Sequence, residues 1–357
     1  MIRLAWRQFR TQAAVASGAL VAIAVVLAVT GPHLLHLYDA NVATCGAHGD
    51  CSAAGSEFLR NDRSLQTALD ALVVVVPGII GIFWGSPLVA RELETGTFRL
   101  AWTQSVTRTR WLAVKLGLIG FASIAVAGLL SLMVTWWSSP VDRVNMNNFA
   151  SFDYRDLVPI GYAALAFALG ATAGVVLRRT LPAMAVTLVA FVFARLAMTT
   201  WIRPHLIAPV RLDLALNPLS TGYGSYSSLF SSSGADTLVP SPPNIPNAWI
   251  TSTQIVDRAG HGLTTQLLTS ACPRVGGSRG AAGAGGGGSH HTSEVPAGAQ
   301  QVLQDCVAKV GRTFHVVVTY QPANRYWAFQ WYELAIFLGA ALIVSGVCLS
   351  WVRRRLA

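Results

Sequence analysis

"LVPIGYAALAFALGATAGVVLRRTLPAMAVTLVAFVFARLAMTTWI", Leu157–Ile202, contains two apolar runs separated by Arg178, Arg179 and Thr180. Each run has about 20 residues, the length a helix needs to cross a hydrocarbon core of about 30 Å. A spanning segment must satisfy its backbone hydrogen bonds internally, and the alternating pattern of a barrel strand is absent, so both runs read as helices. Pro182 opens the second helix directly after the basic residues, which makes the connection a tight turn.

The pattern repeats outward from this hairpin. Candidate spans fall at Gln12–Thr30, Thr67–Gly85, Trp111–Trp137, Leu157–Leu177, Leu181–Ile202 and Trp331–Val352. Of 357 residues, 53% are hydrophobic and 12% charged, against roughly 25% charged in a soluble domain. A chain so poor in polar surface reads as an all-α polytopic membrane protein with six transmembrane helices. The first apolar run is long enough to span and shows no small-residue cleavage site before Gly31-Pro32, so it is expected to stay in the mature protein.

The net charge of +10 is unevenly placed. Arg3, Arg7 and Arg10, the basic residues from Arg91 to Lys115, Arg178-Arg179 and Arg353–Arg355 share one side, opposed only by Glu92 and Glu94. The short loops of the other side mix Arg60, Arg63, Arg143 and Arg155 with seven acids. The positive-inside rule places both termini in the cytoplasm, and the expected location is the plasma membrane, with lipid as partner and no nucleic acid. Cys45 and Cys51 then lie in the first outer loop, Cys272 and Cys306 in the last, and Cys348 alone in the sixth span. An oxidising outer compartment predicts the pairs Cys45–Cys51 and Cys272–Cys306, with reduced thiols as the alternative.

The N-terminal "MIRLAWRQFR" sets Ile2, Trp6 and Phe9 against Arg3, Arg7 and Arg10 at helical spacing. It reads either as an interfacial amphipathic helix over 1–11 or as a plain basic flank of the first span. The largest cytoplasmic loop, 86–110, carries "LVARELETG", a short helix ended by Gly96, and "SVTRTR", a turn into the next span. It is longer than a reversal requires, which marks a surface made for contact.

"ARELETGTFRLAWTQSVTRTRWLAVKL" resembles the corresponding region of ABC-2 type ABC transporter permeases, and "RYWAFQWYELAIFLGAALIVSGVCLSWVRRRL" is similar to the last span of actinobacterial members. The resemblance covers the membrane part of the chain. It implies two transmembrane subunits, here a homodimer, each docked on a separate ATPase subunit that binds ATP and Mg. It further implies a coupling helix in the loop between spans two and three, with Arg91, Glu92, Glu94 and Gly96 at the ATPase contact. The single-residue alternative for these charges is a solvated face. In similar transporters spans two and five line the route, which puts Phe83, Trp84, Phe191, Phe193 and Arg195 beside an apolar substrate, or otherwise against lipid and neighbouring helices.

No G-x-x-x-x-G-K-[ST] loop occurs, so the chain itself is not expected to hydrolyse ATP; H-E-x-x-H, G-x-S-x-G and paired-cysteine zinc patterns are also absent. His290-His291 sits in a glycine-rich tract without further ligands, and no cofactor or metal is expected. Arg195 lies roughly 21 Å along its helix from Leu181 at 1.5 Å per residue. At that depth it needs a partner or a snorkelling route; Glu333 and Asp70, at similar height, are the expected partners. Pro77, Gly78 and Gly81 predict a kink and a close-packing face in span two.

Residues 203–330 read as an extracytoplasmic subdomain, with "TSTQIVD" and "AQQVLQDCVAKV" as helices, "TFHVVVTYQP" as a strand and a flexible Gly276–Gly288. Residues 331–357 form the last span and a basic cytoplasmic tail. The expectation is the permease subunit of an ATP-driven exporter of an apolar or amphipathic substrate, such as an antibiotic or other drug-like compound, a lipid or a peptide. The alternative is a receptor or immunity protein that binds a ligand through its outer subdomain without moving it.

Overall fold

A computed structural model describes residues 2–45, 52–95, 107–216, 226–230, 236–240, 243, 245–264, 266–267, 270, 305 and 308–355. The chain divides into two compact units, one of residues 1–207 with 324–357 and the other of residues 208–323.

The first unit is helical: α1 (Ile2–Tyr38), α2 (Ser52–Asn61), α3 (Arg63–Ile80), α4 (Pro87–Thr95), α5 (Arg108–Asn145), α6 (Val158–Leu177), α7 (Thr180–Ala197), α8 (Arg203–Leu206) and, in chain order after the strands, α9 (Tyr326–Arg355). Among the described residues, six helical segments are long and apolar enough to cross a membrane: Phe9–Ala43, Arg63–Glu94, Thr109–Asn145, Asn148–Leu177, Thr180–Leu206 and Ala323–Arg354. Short π-helical stretches, Asp39–Ala43 after α1, Gly81–Gly85 after α3 and Met198–Ile202 after α7, prolong three of them.

The segment quoted above supplies the centre. In the α6 span 72% of the apolar window is buried, against 6% in the α1 span. The small residues of α6 explain its position, because glycine and alanine let neighbouring backbones approach closely where lipid offers no hydrophobic drive. Gly170 and Gly174 face Gly81 and Ser86: a Cβ on Gly170 would lie 2.2 Å from the Gly81 carbonyl oxygen, and one on Gly174 2.4 Å from that of Ser86.

One reading of the N-terminal region changes. Residues 1–11 are not a separate interfacial element, since α1 runs unbroken from Ile2 to Tyr38. No glycine or proline precedes Gly18 to end it, and Pro32 lies within the helix, as spanning helices tolerate. α1 is pinned in its second half, where Leu27 and Leu34 pack with Val73, Leu130, Val134 and Trp137 and Trp137 Nε1 donates to Thr30 Oγ1 at 2.9 Å.

The second unit holds β1 (Val210–Ala215), β2 (Tyr226–Phe230), β3 (Asp236–Pro240), β4 (Trp249–Asp257) and β5 (Phe314–Gln321). β5 is central in an antiparallel sheet of order β1-β5-β4, while β2 and β3 pair as a separate two-stranded ribbon. Val316 and Val318 alternate into a small core with Leu216, Ile255 and Val310. "TSTQIVD" is strand rather than helix: Thr251, Thr253, Ile255 and Val256 are β-branched, which suits a half-buried pleat better than a helix. Gly276–Gly288, His290-His291, Gly96, Cys51, Cys272 and Cys306 lie outside the described residues.

Candidate functional site

The helical run of span two, Arg63–Glu94, passes through the π-helical stretch Gly81–Gly85 and ends in α4. The N-terminus of α4 is fastened by Ser86, fully buried, whose hydroxyl shares a hydrogen bond of 2.9 Å with Thr187 Oγ1 of α7. Val89 and Ala90 turn into the bundle and Arg91 is exposed. The two acids then tie α4 to other helices. Glu92 Oε1 receives a hydrogen bond from Lys115 Nζ of α5 at 2.5 Å, and the ammonium lies 4.5 Å above the Trp111 ring. Glu94 accepts from the Thr180 backbone N–H at 3.0 Å and from Thr180 Oγ1 at 2.5 Å.

The Glu94 contact satisfies a donor at the open N-terminus of α7 and places negative charge at the positive end of its dipole. With Gly174 of α6 against Ser86, α4 touches α5, α6 and α7 through a buried ion pair, a backbone contact and a helix cap. A push on α4 would reach three spans through short, directional contacts. Glu92 is half-buried and tied to Lys115, whereas Glu94, tied to Thr180, and Arg91 are both exposed members of the expected contact set.

A second charged cluster occupies the other end of the bundle. Glu333, fully buried on α9, accepts from Arg203 Nε at 2.9 Å, from Arg203 Nη2 at 2.9 Å and from Tyr162 Oη at 2.8 Å. Arg203 also pairs with Asp153 and lies 4.5 Å above the Phe152 ring. Asp70 accepts from Arg155 Nη1 at 2.9 Å, and Asp142 Oδ2 lies 3.6 Å from Arg155 Nε. Tyr326 Oη donates to Asp156 at 2.6 Å, and Gln330 Oε1 accepts the backbone N–H groups of Leu157 and Val158.

These partners correct the expectation for Arg195. It bonds neither Glu333 nor Asp70; its Nη1 donates to the Val74 carbonyl at 3.1 Å and its guanidinium lies 4.7 Å over the Tyr162 ring. Both acids already have arginines, Arg203 about two turns further along the same chain direction and Arg155 just before α6. The four route aromatics do not form one surface either. Phe191 is 5% exposed, against Gly78 and Tyr162, whereas Phe193 is 66% exposed. Phe83 and Trp84 face α1, with Trp84 edge-on to Phe9 at 4.9 Å.

Sequence reading missed Lys115, Thr180, Arg155 and Arg203 as site residues. One signal was present: Gly81-x-x-x-Gly85 and Gly170-x-x-x-Gly174 are two small-residue motifs of the kind that pack helices face to face. Among the described residues no cluster of three or more His, Cys, Asp or Glu side chains is arranged to hold a metal ion.

Comparison with known proteins adds one match. The model of a family described as ABC-2 membrane transporter related matches residues 17–203. No curated protein and no solved structure matches the chain.

Proposed function

The chain belongs to the ABC-2 membrane transporter related family, which makes it a multi-pass membrane permease of the ABC transporter class, and we propose that it exports an apolar or amphipathic substrate when a separate ATPase dimer pushes on α4. The observation that carries the proposal is the fastening of α4 to α5, α6 and α7 through Glu92, Ser86 and Glu94. Such a helix, on the basic side of the membrane, is suited to convert an external force into helix motion. The energy comes from the partner's ATP and Mg, because an alternating-access equilibrium shifts only as far as differential binding drives it.

In this reading both termini and α4 face the cytoplasm, two copies of the chain form the permease, and Arg91 with Gly96 meets the ATPase. Glu92 and Glu94 act one step inward, as links between that contact and the spans. Arg195 braces span five against the Val74 carbonyl, and Cys45–Cys51 and Cys272–Cys306 form outer disulfides.

The test is affinity purification of the tagged chain from its native membranes, followed by identification of bound proteins and measurement of ATP hydrolysis. A copurifying ATPase whose capture weakens on Arg91→Glu is the expected result. A chain that comes out without any ATPase, while its outer unit retains a tight ligand, would favour the receptor alternative.

A further inference from the structure

α1 is held at two places and stands away from the bundle between them. Phe9, 2% exposed, anchors its start, and Leu27 and Leu34, each 1% exposed, anchor its second half. Between these points a groove of about 520 Å³ separates α1 from α3. One stripe of α1 from Thr11 to Ile23 forms one wall, a stripe of α3 and its π-helical extension from Leu72 to Trp84 forms the other, and Val126 and Leu130 of α5 form the floor. The volume is within the range of about 300–1,000 Å³ of ordinary ligand pockets.

Three properties define the occupant. The first is length: Thr11 to Ile23 spans roughly 18 Å along a helix, slightly more than the roughly 15 Å depth of one leaflet's hydrocarbon. The second is width: a groove of about 520 Å³ over that length suits an extended hydrocarbon chain and is narrower than a helix of about 10–12 Å diameter requires. A second copy of a spanning helix therefore does not fit. The third is polarity. Thr11 and Gln12 are the hydrogen-bonding lining residues at one end, the remaining lining is aliphatic or aromatic, and the exposed Arg10 stands one residue beyond. At that same end Gln12 Nε2 donates to the Phe83 carbonyl at 3.4 Å.

We propose that this groove is a binding site for a single acyl chain of an anionic phospholipid, drawn from the leaflet on the N-terminal side, with its phosphate held at Arg10 and Thr11. The lipid fills the space between α1 and the α3–α5 surface and completes the packing that the side chains of Ala16 and Ala19 leave open. Desolvated apolar area drives insertion of the chain, and the basic residue sets the headgroup preference. No transport is required, so the site stands or falls apart from the permease reading.

The experiment uses the purified full-length chain, without any ATPase, in phosphatidylcholine vesicles doped with phosphatidylglycerol carrying a mid-chain photoreactive diazirine. Cross-linked peptides are located by mass spectrometry. Labels are expected on residues 15–23 and 72–80, and to fall about tenfold in each of two independent filled variants, Ala16→Phe and Ala19→Trp, because an overfilled groove excludes the chain. Thermal unfolding of each variant verifies that it is folded, and one folded variant is enough for the comparison. A phosphatidylcholine carrying the same diazirine chain should label about fivefold less, and Arg10→Gln should erase that preference, the weight of one basic residue near an anionic surface.

Labelling unchanged in a folded filled variant, or spread equally over Val186 and Val189 on α7, overturns the proposal. Efficient Ala19→Cys cross-linking between two copies also overturns it, by assigning the groove to a second copy.

Discussion

Arg203→Leu should be the most damaging single change in the buried charge cluster. It removes two hydrogen bonds of 2.9 Å to Glu333, the ion pair to Asp153 and the stacking over Phe152. Glu333 has no exposed surface, so its carboxylate would be left in a low-dielectric site. Removing one partner of a buried pair costs about 3–5 kcal/mol. The Tyr162 hydroxyl still donates to Glu333 at 2.8 Å, which keeps the cost at the low end, about 3 kcal/mol. At roughly 2–4 °C per kcal/mol the midpoint of thermal unfolding in detergent should fall by about 6–12 °C.

Two companion variants make the reasoning specific. Adding Glu333→Gln to Arg203→Leu removes the stranded charge while Tyr162 keeps an acceptor, and should recover about two thirds of the loss. Arg195→Leu gives up one bond to the Val74 carbonyl and one ring contact, and should cost only about 1 kcal/mol. The measurement is size-exclusion-monitored unfolding of the four proteins side by side. If Arg195→Leu loses as much as Arg203→Leu, or if Glu333→Gln fails to rescue, the assignment of Arg203 as Glu333's partner is wrong.

Other expectations concern the α4 contacts and the cysteines. Gly170→Ala would drive a Cβ to 2.2 Å from the Gly81 carbonyl oxygen, so it should destabilise by about 1–3 kcal/mol in the same unfolding assay. Gly339→Ala, with nothing within 4 Å, should be neutral or slightly stabilising. Glu94→Ala removes the α7 cap formed at Thr180 and should lower ATP-driven transport more than ATPase capture; equal losses in both would place Glu94 at the ATPase contact itself. Non-reducing peptide mapping should recover Cys45–Cys51 and Cys272–Cys306, with Cys348, a buried free thiol, alkylated only after unfolding.

The spans were legible because twenty apolar residues in a row have few alternatives, and the tight turn at Arg178–Thr180 is written in its length and in Pro182. The partners of the buried charges were not legible. Depth along a helix follows from counting residues, but the direction a side chain faces depends on how helices pack, so Arg195 looked like the natural partner of Glu333. Arg155 read as an outer-loop residue and Arg203 as the first residue of the outer subdomain. They are buried because the 3-10 turn Asn148–Tyr154 carries Phe149 and Phe152 inward, and because the helical chain continues past Ile202 into α8. Glu92 and Glu94 show the same limit at the other end: two acids on a short loop helix look solvated until Lys115 and Thr180, 23 and 86 residues distant, are brought to them.

The central claim is that α4 is the cytoplasmic element on which a separate ATPase acts, and Arg91, exposed on that helix, reports on it directly. In Arg91→Cys, a membrane-impermeant thiol reagent read by mass spectrometry of the α4 peptide should modify the new cysteine in inverted vesicles and leave it untouched in intact cells. Bound ATPase should protect it. Modification in intact cells would put α4 on the outside and contradict the account.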